Sequence, residues 1–403
     1  MNPFDRELTQ RLDEWRDQSL LRELRAVQSP QGARIQVNGR ELLNFSSNDY
    51  LGLASHPALK EAAVRAIERF GAGAGASRLI SGSLSPHHEL DETLAAFKGT
   101  EAALSFSSGY TTAVGTICAL LGRDDWVLID RLVHASIVDA ARLSSARLRV
   151  FRHNDLDDLQ RILRQVNRRR ANSISGSPRP RVLIVTESVF SMTGTLAPLK
   201  ELVQIKDAAG AWLMVDEAHA TGLYGPNRRG LADELGVGDR IEIQMGTLGK
   251  AVGAAGGFIC GSRPLIHLLV NRARSFVFST APPPAAAAAA TAGICVIQSD
   301  EGARRVTRLW NSVSSLEAQL RAHAPSLARH ASRSAILPVV VGLESKALDA
   351  ASVLQERGLF VPAIRYPSVR RGAAQLRVSI TAMHSDADIS ALASALASSV
   401  NPL

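Results

Sequence analysis

The sequence predicts an α/β protein: a mostly parallel sheet covered on both faces, followed by a smaller C-terminal α/β domain. From about residue 56 to 285, short apolar runs at 103–106, 126–130, 182–187, 213–216 and 257–260 alternate with stretches of helical periodicity. That strand-then-helix rhythm belongs to a parallel sheet buried on both sides. The polar residues of the region fall where the runs end: Ser107 and Ser108, Asp130 and His134, Glu187 and Ser191, Asp216 and His219. Ligands of such sheets sit beyond the carboxyl ends of the strands, so the pattern and the expected site agree.

Taken in order, residues 6–26 carry apolar and charged side chains at helical spacing and 41–45 read as a strand leading into a loop. Residues 1–55 are therefore expected to form an arm, 56–290 a large domain and 291–403 a small one. Pro282-Pro283-Pro284 before an alanine run marks a helix start, and one long helix through about residue 325 is expected to follow. Residues 336–341, 360–364 and 375–380 read as strands around a helix near 347–357, and Ser385 with Asp388 makes a capping-box pattern for the last helix. Arg168-Arg169-Arg170 opens a stretch through Ser173, Ser175, Gly176, Ser177, Pro178 and Pro180 that reads as an inserted basic surface loop.

Forty-six basic against 38 acidic residues give a net charge of +8, which suits a phosphorylated substrate, an acidic protein or a nucleic acid. No aromatic residue interleaves the basic stretch, so nucleic-acid binding is not expected. Residues 281–290, alanine and proline, are too short and too weakly apolar for a membrane span. The first residues carry acids and lack the apolar core of a signal peptide, so a cytoplasmic location is expected. Cys118, Cys260 and Cys295 lie far apart in apolar contexts, as reduced core thiols would, and their spacing suits no metal site.

Lys250 ends Met245-Gly246-Thr247-Leu248-Gly249-Lys250, where glycines let backbone approach a ligand and Thr247 can bond a phosphate oxygen. A surface turn would look the same. Asp216 ends an apolar run, where an ionised carboxylate needs a partner; a protonated pyridine nitrogen is one, and the cap of a following helix is another. His219 would reach the phenolic oxygen of such a ring. His134, after a strand, suits stacking on the ring or a satisfied place in the core. Ser107-Ser108-Gly109-Tyr110 follows a strand and opens a helix, so its backbone N–H groups can take a phosphate. Arg377 interrupts an apolar strand, either as a bidentate fork for a carboxylate or as a surface-facing residue. An Asp-Glu-Ala-His string at 216–219 also occurs in helicases, but no glycine-rich loop ending in Gly-Lys-Ser or Gly-Lys-Thr accompanies it. A lysine for attachment, a carboxylate for a ring nitrogen, phosphate donors and a flat side chain are what pyridoxal phosphate needs, and each has a candidate here.

Together with Asn44-Phe45-Ser46-Ser47-Asn48-Asp49-Tyr50-Leu51-Gly52-Leu53, Gly75-Ala76-Ser77-Arg78-Leu79-Ile80-Ser81-Gly82, His134-Ala135-Ser136 and Val189-Phe190-Ser191-Met192, these segments resemble the α-oxoamine synthases over nearly the whole chain. The resemblance implies an aspartate-aminotransferase-like fold (pyridoxal-phosphate fold type I) with a seven-stranded sheet, pyridoxal 5'-phosphate as cofactor, and decarboxylative condensation of an amino acid with an acyl thioester. It makes Lys250 the attachment lysine, Asp216 the partner of the ring nitrogen and His134 the stacking residue. Ser191, His219 and Thr247 become cofactor contacts, and Ser108, Gly109 and Tyr110 serve the phosphate. Thr280, after Ser279, reaches a neighbouring subunit's phosphate, which implies a homodimer. On the substrate side it implies Arg22 at the far end of the acyl chain, Arg377 at the amino-acid carboxylate, and Asn48 and Ser368 beside them; relatives often have threonine in place of Ser368. The segments 46–48 and 77–82 look most like members that join L-alanine to a pimeloyl thioester, carried on coenzyme A or acyl carrier protein. Another member such as a glycine C-acetyltransferase, or a non-catalytic subunit of the same fold, remains the alternative.

Overall fold

The computed structural model describes residues 1–171, 179–327 and 333–399. The chain forms two compact units. One comprises Met1–Gly52, Met192–Gly194 and the chain from Arg305 onward; the other comprises Leu53–Ser191 and Thr195–Arg304. Among the described residues the strands, numbered along the chain, are β1 Arg34–Val37, β2 Arg40–Asn44, β3 Ala102–Phe106, β4 Trp126–Asp130, β5 Arg147–Phe151, β6 Val182–Glu187, β7 Trp212–Asp216, β8 Ile243–Thr247, β9 Gly257–Gly261, β10 Ile336–Gly342, β11 Leu359–Phe360, β12 Ala363–Ile364 and β13 Ala374–Ser379.

The larger unit holds the seven-stranded sheet, in the order β3-β9-β8-β7-β6-β4-β5. It is parallel except for β9, which runs antiparallel to β3 and β8. Every residue of β4 and β6 is buried, as expected of central parallel strands read as continuous apolar runs. Two strands escape the apolar-run reading. β5 lies at the sheet edge and carries Arg147 and Arg149, whose guanidinium groups lie over the Trp126 ring. β8 carries Gln244 and Thr247 as well as Gly246, and the glycine is required because a Cβ there would stand 2.3 Å from the Phe258 ring on β9.

The smaller unit has two three-stranded sheets, β1-β2-β11 and β10-β13-β12. The strand expected at 360–364 is two short ones in different sheets: β11 pairs with β2 and β12 with β13. Pro362, with no N–H to give a ladder, lies between them. The helix expected over 6–26 is Pro3–Asp17. Ser19 beyond it is left-handed at φ 56°, and the carbonyls of Ser19 and Leu21 accept from Arg365 instead of from a next helical turn. The long helix expected through 325 is two, Pro284–Gln298 and Asp300–His323. Extended Ser299 parts them, its Oγ accepting from Gly302 N–H. The capping box holds: Asp388 N–H donates to Ser385 Oγ and Ser385 N–H to Asp388.

The three arginines at 168–170 form the last turn of helix Leu156–Ala171 and do not open a loop; Ser173, Ser175, Gly176, Ser177 and Pro178 lie outside the described residues. Cys260 is buried, but Cys118 is only half-buried and Cys295 is exposed, which corrects the expectation of three core thiols. No helix among the described residues is long and apolar enough to cross a membrane.

Candidate active site

Parallel pairing sets Glu187 at the end of β6 directly opposite Asp216 at the end of β7, and Asp216 opposite Met245 on β8. Beyond these strand ends lies a cavity of about 200 Å³. Lys250, Asp216, His219, His134 and Thr247 line it together with Glu187, Gly109 and Tyr110. Residues drawn from five separate strand ends, those of β3, β4, β6, β7 and β8, thus converge on one hollow in the larger unit.

Asp216 is buried, and burial pushes its carboxyl up against the opposing pull of the Lys250 charge and the Ala218 N–H. No helix follows it: the next helix begins at Leu231, so the helix-cap alternative falls. His134 caps helix Ala135–Leu143, its Nδ1 2.8 Å from Ser136 Oγ. The residue is exposed toward the cavity, which sets aside the core reading, and partial desolvation lowers its pKa while Asp216 works the other way. Lys250 is half-buried, following the turn in which Thr247 Oγ1 donates to Gly256 O and accepts from Gly249 N–H.

Ser108 caps helix Gly109–Leu120 and is engaged there, with Thr111 N–H donating to its Oγ at 3.1 Å. The first-turn N–H groups of Gly109 and Tyr110 have no helical carbonyl to meet; the Tyr110 hydroxyl donates to Asp139. Gly257 on β9 seats this helix end: a Cβ there would lie 2.8 Å from Gly109 N and 2.5 Å from Thr112 Oγ1. Ser191 is buried and does not line the cavity; its N–H donates to Glu187 Oε2 at 3.2 Å. Thr280 is not in the cavity either. It bridges to Ser77 and borders a narrow separate depression with Arg78, Ser105, Ser107 and Ser279.

In the smaller unit Arg377 is buried on β13, not surface-facing, and donates to Asn48 Oδ1 at 3.1 Å, Ser379 Oγ at 3.0 Å and the Tyr50 hydroxyl at 3.5 Å. Burial raises the pKa of Tyr50, and the Arg377 charge and hydrogen bond pull it back. Arg22 is exposed and donates to Tyr366 O. Ser368 follows the cis Tyr366–Pro367 bond, its N–H on Arg365 O.

Glu187 was visible in the sequence only as one polar residue among several at strand ends. Its carboxyl, 2% exposed, accepts from the N–H groups of both His134 and Ser191. Gly257 likewise read as an ordinary strand residue; the adjoining Gly256-Gly257 pair was the available signal.

The family model described as aminotransferase class I and II matches residues 40–396. An 8-amino-7-oxononanoate synthase of Anaeromyxobacter dehalogenans is 49% identical over 94% of this chain and 91% of its own length. One of Geobacter sulfurreducens is 45% identical over 97% of each. Among solved structures, a serine palmitoyltransferase from S. paucimobilis superposes with a TM-score of 0.89 at 29% identity over 99% of this chain and 98% of that one. An 8-amino-7-oxononanoate synthase from Francisella tularensis gives 0.72 at 26% identity, covering 88% of this chain and 97% of that one.

Proposed function

Because the chain belongs to the aminotransferase class I and II family, we propose that it is a pyridoxal-phosphate-dependent acyltransferase of biotin biosynthesis. It joins L-alanine to a pimeloyl thioester and gives 8-amino-7-oxononanoate. The observation that carries this reading is the buried Asp216 carboxylate sharing one cavity with Lys250, His134 and His219. An isolated carboxylate in so dry a place is costly, and a protonated ring nitrogen offsets that cost through a charge-assisted hydrogen bond. The naming of relatives 45–49% identical over most of the chain supports the choice of alanine and pimeloyl groups.

In this reading Lys250 would hold the cofactor, His134 would stack on its ring, His219 would serve its phenolic oxygen and Ser191 would be a further cofactor contact. Thr247 and the N–H groups of Gly109 and Tyr110, with Ser108 as their cap, take the phosphate, and Thr280 serves that of a second copy in a homodimer. When bound, the cofactor supplies a cationic ring that accepts the electron pair freed at the substrate Cα. Lys250, its amine freed when the amino group of alanine takes its place, would take the Cα proton as general base, a role commonly worth about 10²–10⁴ in rate. Arg377, steadied by Asn48, receives the alanine carboxylate, Ser368 lies beside it, and Arg22 meets the far end of the pimeloyl chain. A carbon–carbon bond would form between Cα and the thioester carbonyl as the C–S bond breaks and the thiol of coenzyme A or acyl carrier protein leaves; CO₂ would then be lost and a proton would return to Cα. The same reading includes a cytoplasmic location.

Borohydride reduction of the protein loaded with pyridoxal phosphate, followed by peptide mapping, tests the assignment, which requires the label on Lys250. Steady-state rates with pimeloyl-coenzyme A and pimeloyl-acyl carrier protein, against acetyl-coenzyme A with glycine, test the substrates. Preference for glycine and acetyl-coenzyme A would overturn the oxononanoate reading.

A further inference from the structure

We infer that Glu187 is a positioning residue of the reaction: one buried carboxyl that ties the His134 turn and the Ser191 turn together behind the cofactor cavity. The inference rests on the pyridoxal-phosphate reading above and adds to it a residue that touches neither substrate nor the reacting atoms. Glu187 ends β6, a strand buried along its whole length, and pairs there with Asp216 of β7. Its two oxygens divide their work. Oε1 accepts from His134 N–H, and Oε2 accepts from Ser191 N–H at 3.2 Å. His134 is 53 residues upstream and Ser191 four downstream, so no local turn could hold both.

The effect reaches the His134 ring. Its backbone is held by Glu187, and its Nδ1 is held by Ser136 Oγ and Ser136 N–H, at 2.8 and 3.3 Å. With both ends fixed, the imidazole plane is set before any ligand arrives, and such preorganisation is what positioning residues contribute to rate. Ser191 receives the same service on the other side.

The surroundings make the clamp sensitive to charge. Asp216 faces Glu187 from β7, Lys250 from the turn after β8 and His134 from the start of its helix, with Asp139 one turn further on. Burial and then the neighbouring Asp216 push the Glu187 carboxyl up to about 8, against the pull of Lys250 and the two N–H groups. A cation docked on Asp216 removes part of that repulsion. Cofactor binding therefore favours loss of the Glu187 proton, and the ionised carboxylate holds both N–H groups by charge-assisted bonds, which are the stronger kind.

The test uses the full-length protein. Glu187→Gln keeps the shape but turns an N–H₂ group toward one of the two N–H donors, and Glu187→Asp is too short to span both. Hydrogen–deuterium exchange of the apoprotein should quicken at least tenfold in peptides covering 131–136 and 188–193, with the sheet unchanged. Titration of the apoproteins with pyridoxal phosphate should show affinity tenfold or more weaker in both variants. In the reconstituted variants kcat should fall more than the KM for alanine changes. On the wild type itself, the His134 and Ser191 amide resonances should shift together with pH, sharing one midpoint. Wild-type exchange and cofactor affinity in Glu187→Gln, or amide resonances that titrate independently, would overturn the inference. If the wild type failed to bind pyridoxal phosphate while the two amides still titrated together, the cofactor reading would fail and the clamp would stand.

Discussion

Gly257→Ala isolates the helix end beneath the proposed phosphate site, because the substitution adds one methyl group from a strand and alters no polar group. That methyl would lie 2.8 Å from Gly109 N, 2.9 Å from Gly109 Cα and 2.5 Å from Thr112 Oγ1. Ordinary contact begins near 3.4 Å, so the first turn of the helix must retreat by roughly half an ångström or more, an overpacking that typically costs about 1–3 kcal/mol. It cannot retreat freely: Ala113 and Ile117 of the same helix are fully buried. A phosphate bond to a displaced N–H loses length and angle together. Losing one hydrogen bond to a charged group costs about 1.5–3 kcal/mol, so pyridoxal phosphate should bind about 10- to 100-fold more weakly. Fluorescence titration of the apoprotein measures this, with Gly122→Ala as a control, since its Cβ meets nothing nearer than 4.0 Å. Wild-type affinity in Gly257→Ala, with an unchanged melting temperature, would refute the seating of Gly109 by Gly257 as the determinant of phosphate binding.

Asp216→Asn should slow turnover sharply and yet stabilise the apoprotein at neutral pH. The Asp216 carboxyl is raised in the folded state, so its contribution to stability is fully present below the unfolded value and is lost as pH rises through the folded one. Thermal melts of both apoproteins from pH 4 to 8 check this, and a variant less stable than wild type at pH 7 would contradict it. Arg377→Ala should raise the KM for alanine and destabilise the protein, because it strips a donor from Asn48, Ser379 and Tyr50; Arg377→Lys should not restore alanine binding, since an ammonium lacks the planar fork. Arg22→Ala should weaken pimeloyl thioester use and leave alanine binding alone, read as separate KM values; equal effects on both would show that Arg22 does not serve the acyl chain alone.

Much of the larger unit was legible because β4, β6 and β7 are apolar runs closed by one or two polar residues, and burial on both faces requires that pattern. Lys250, Asp216, His219, Thr247 and His134 could be selected by chemical type, and the structure brings them to one cavity. Less legible features answer to partners far away in sequence. β5 hides its strand character because its arginines lie over Trp126 at the sheet edge. β8 carries a glycine for the sake of a phenylalanine on the next strand. In the alanine-rich helix Pro284–Gln298 nearly every position is apolar, so nothing in the sequence marks the exposed side on which Cys295 falls. Glu187 acts on backbone N–H groups, and a bond to the main chain leaves no mark on the side chain it steadies.

The pairing of β2 with β11 also bears on how the chain is made. Leu43 and Asn44 take Leu359 and Phe360 as parallel neighbours, so one edge of β2 waits for residues that are synthesised after the whole larger unit. At about 5–20 residues per second that wait is on the order of tens of seconds. During it, β2 can close its hairpin with β1 but offers its other edge to any passing strand. A ribosome stalled before residue 359 would therefore release a larger unit with its seven strands already synthesised and a β1-β2 hairpin with one bare edge, a product that invites aggregation through β2.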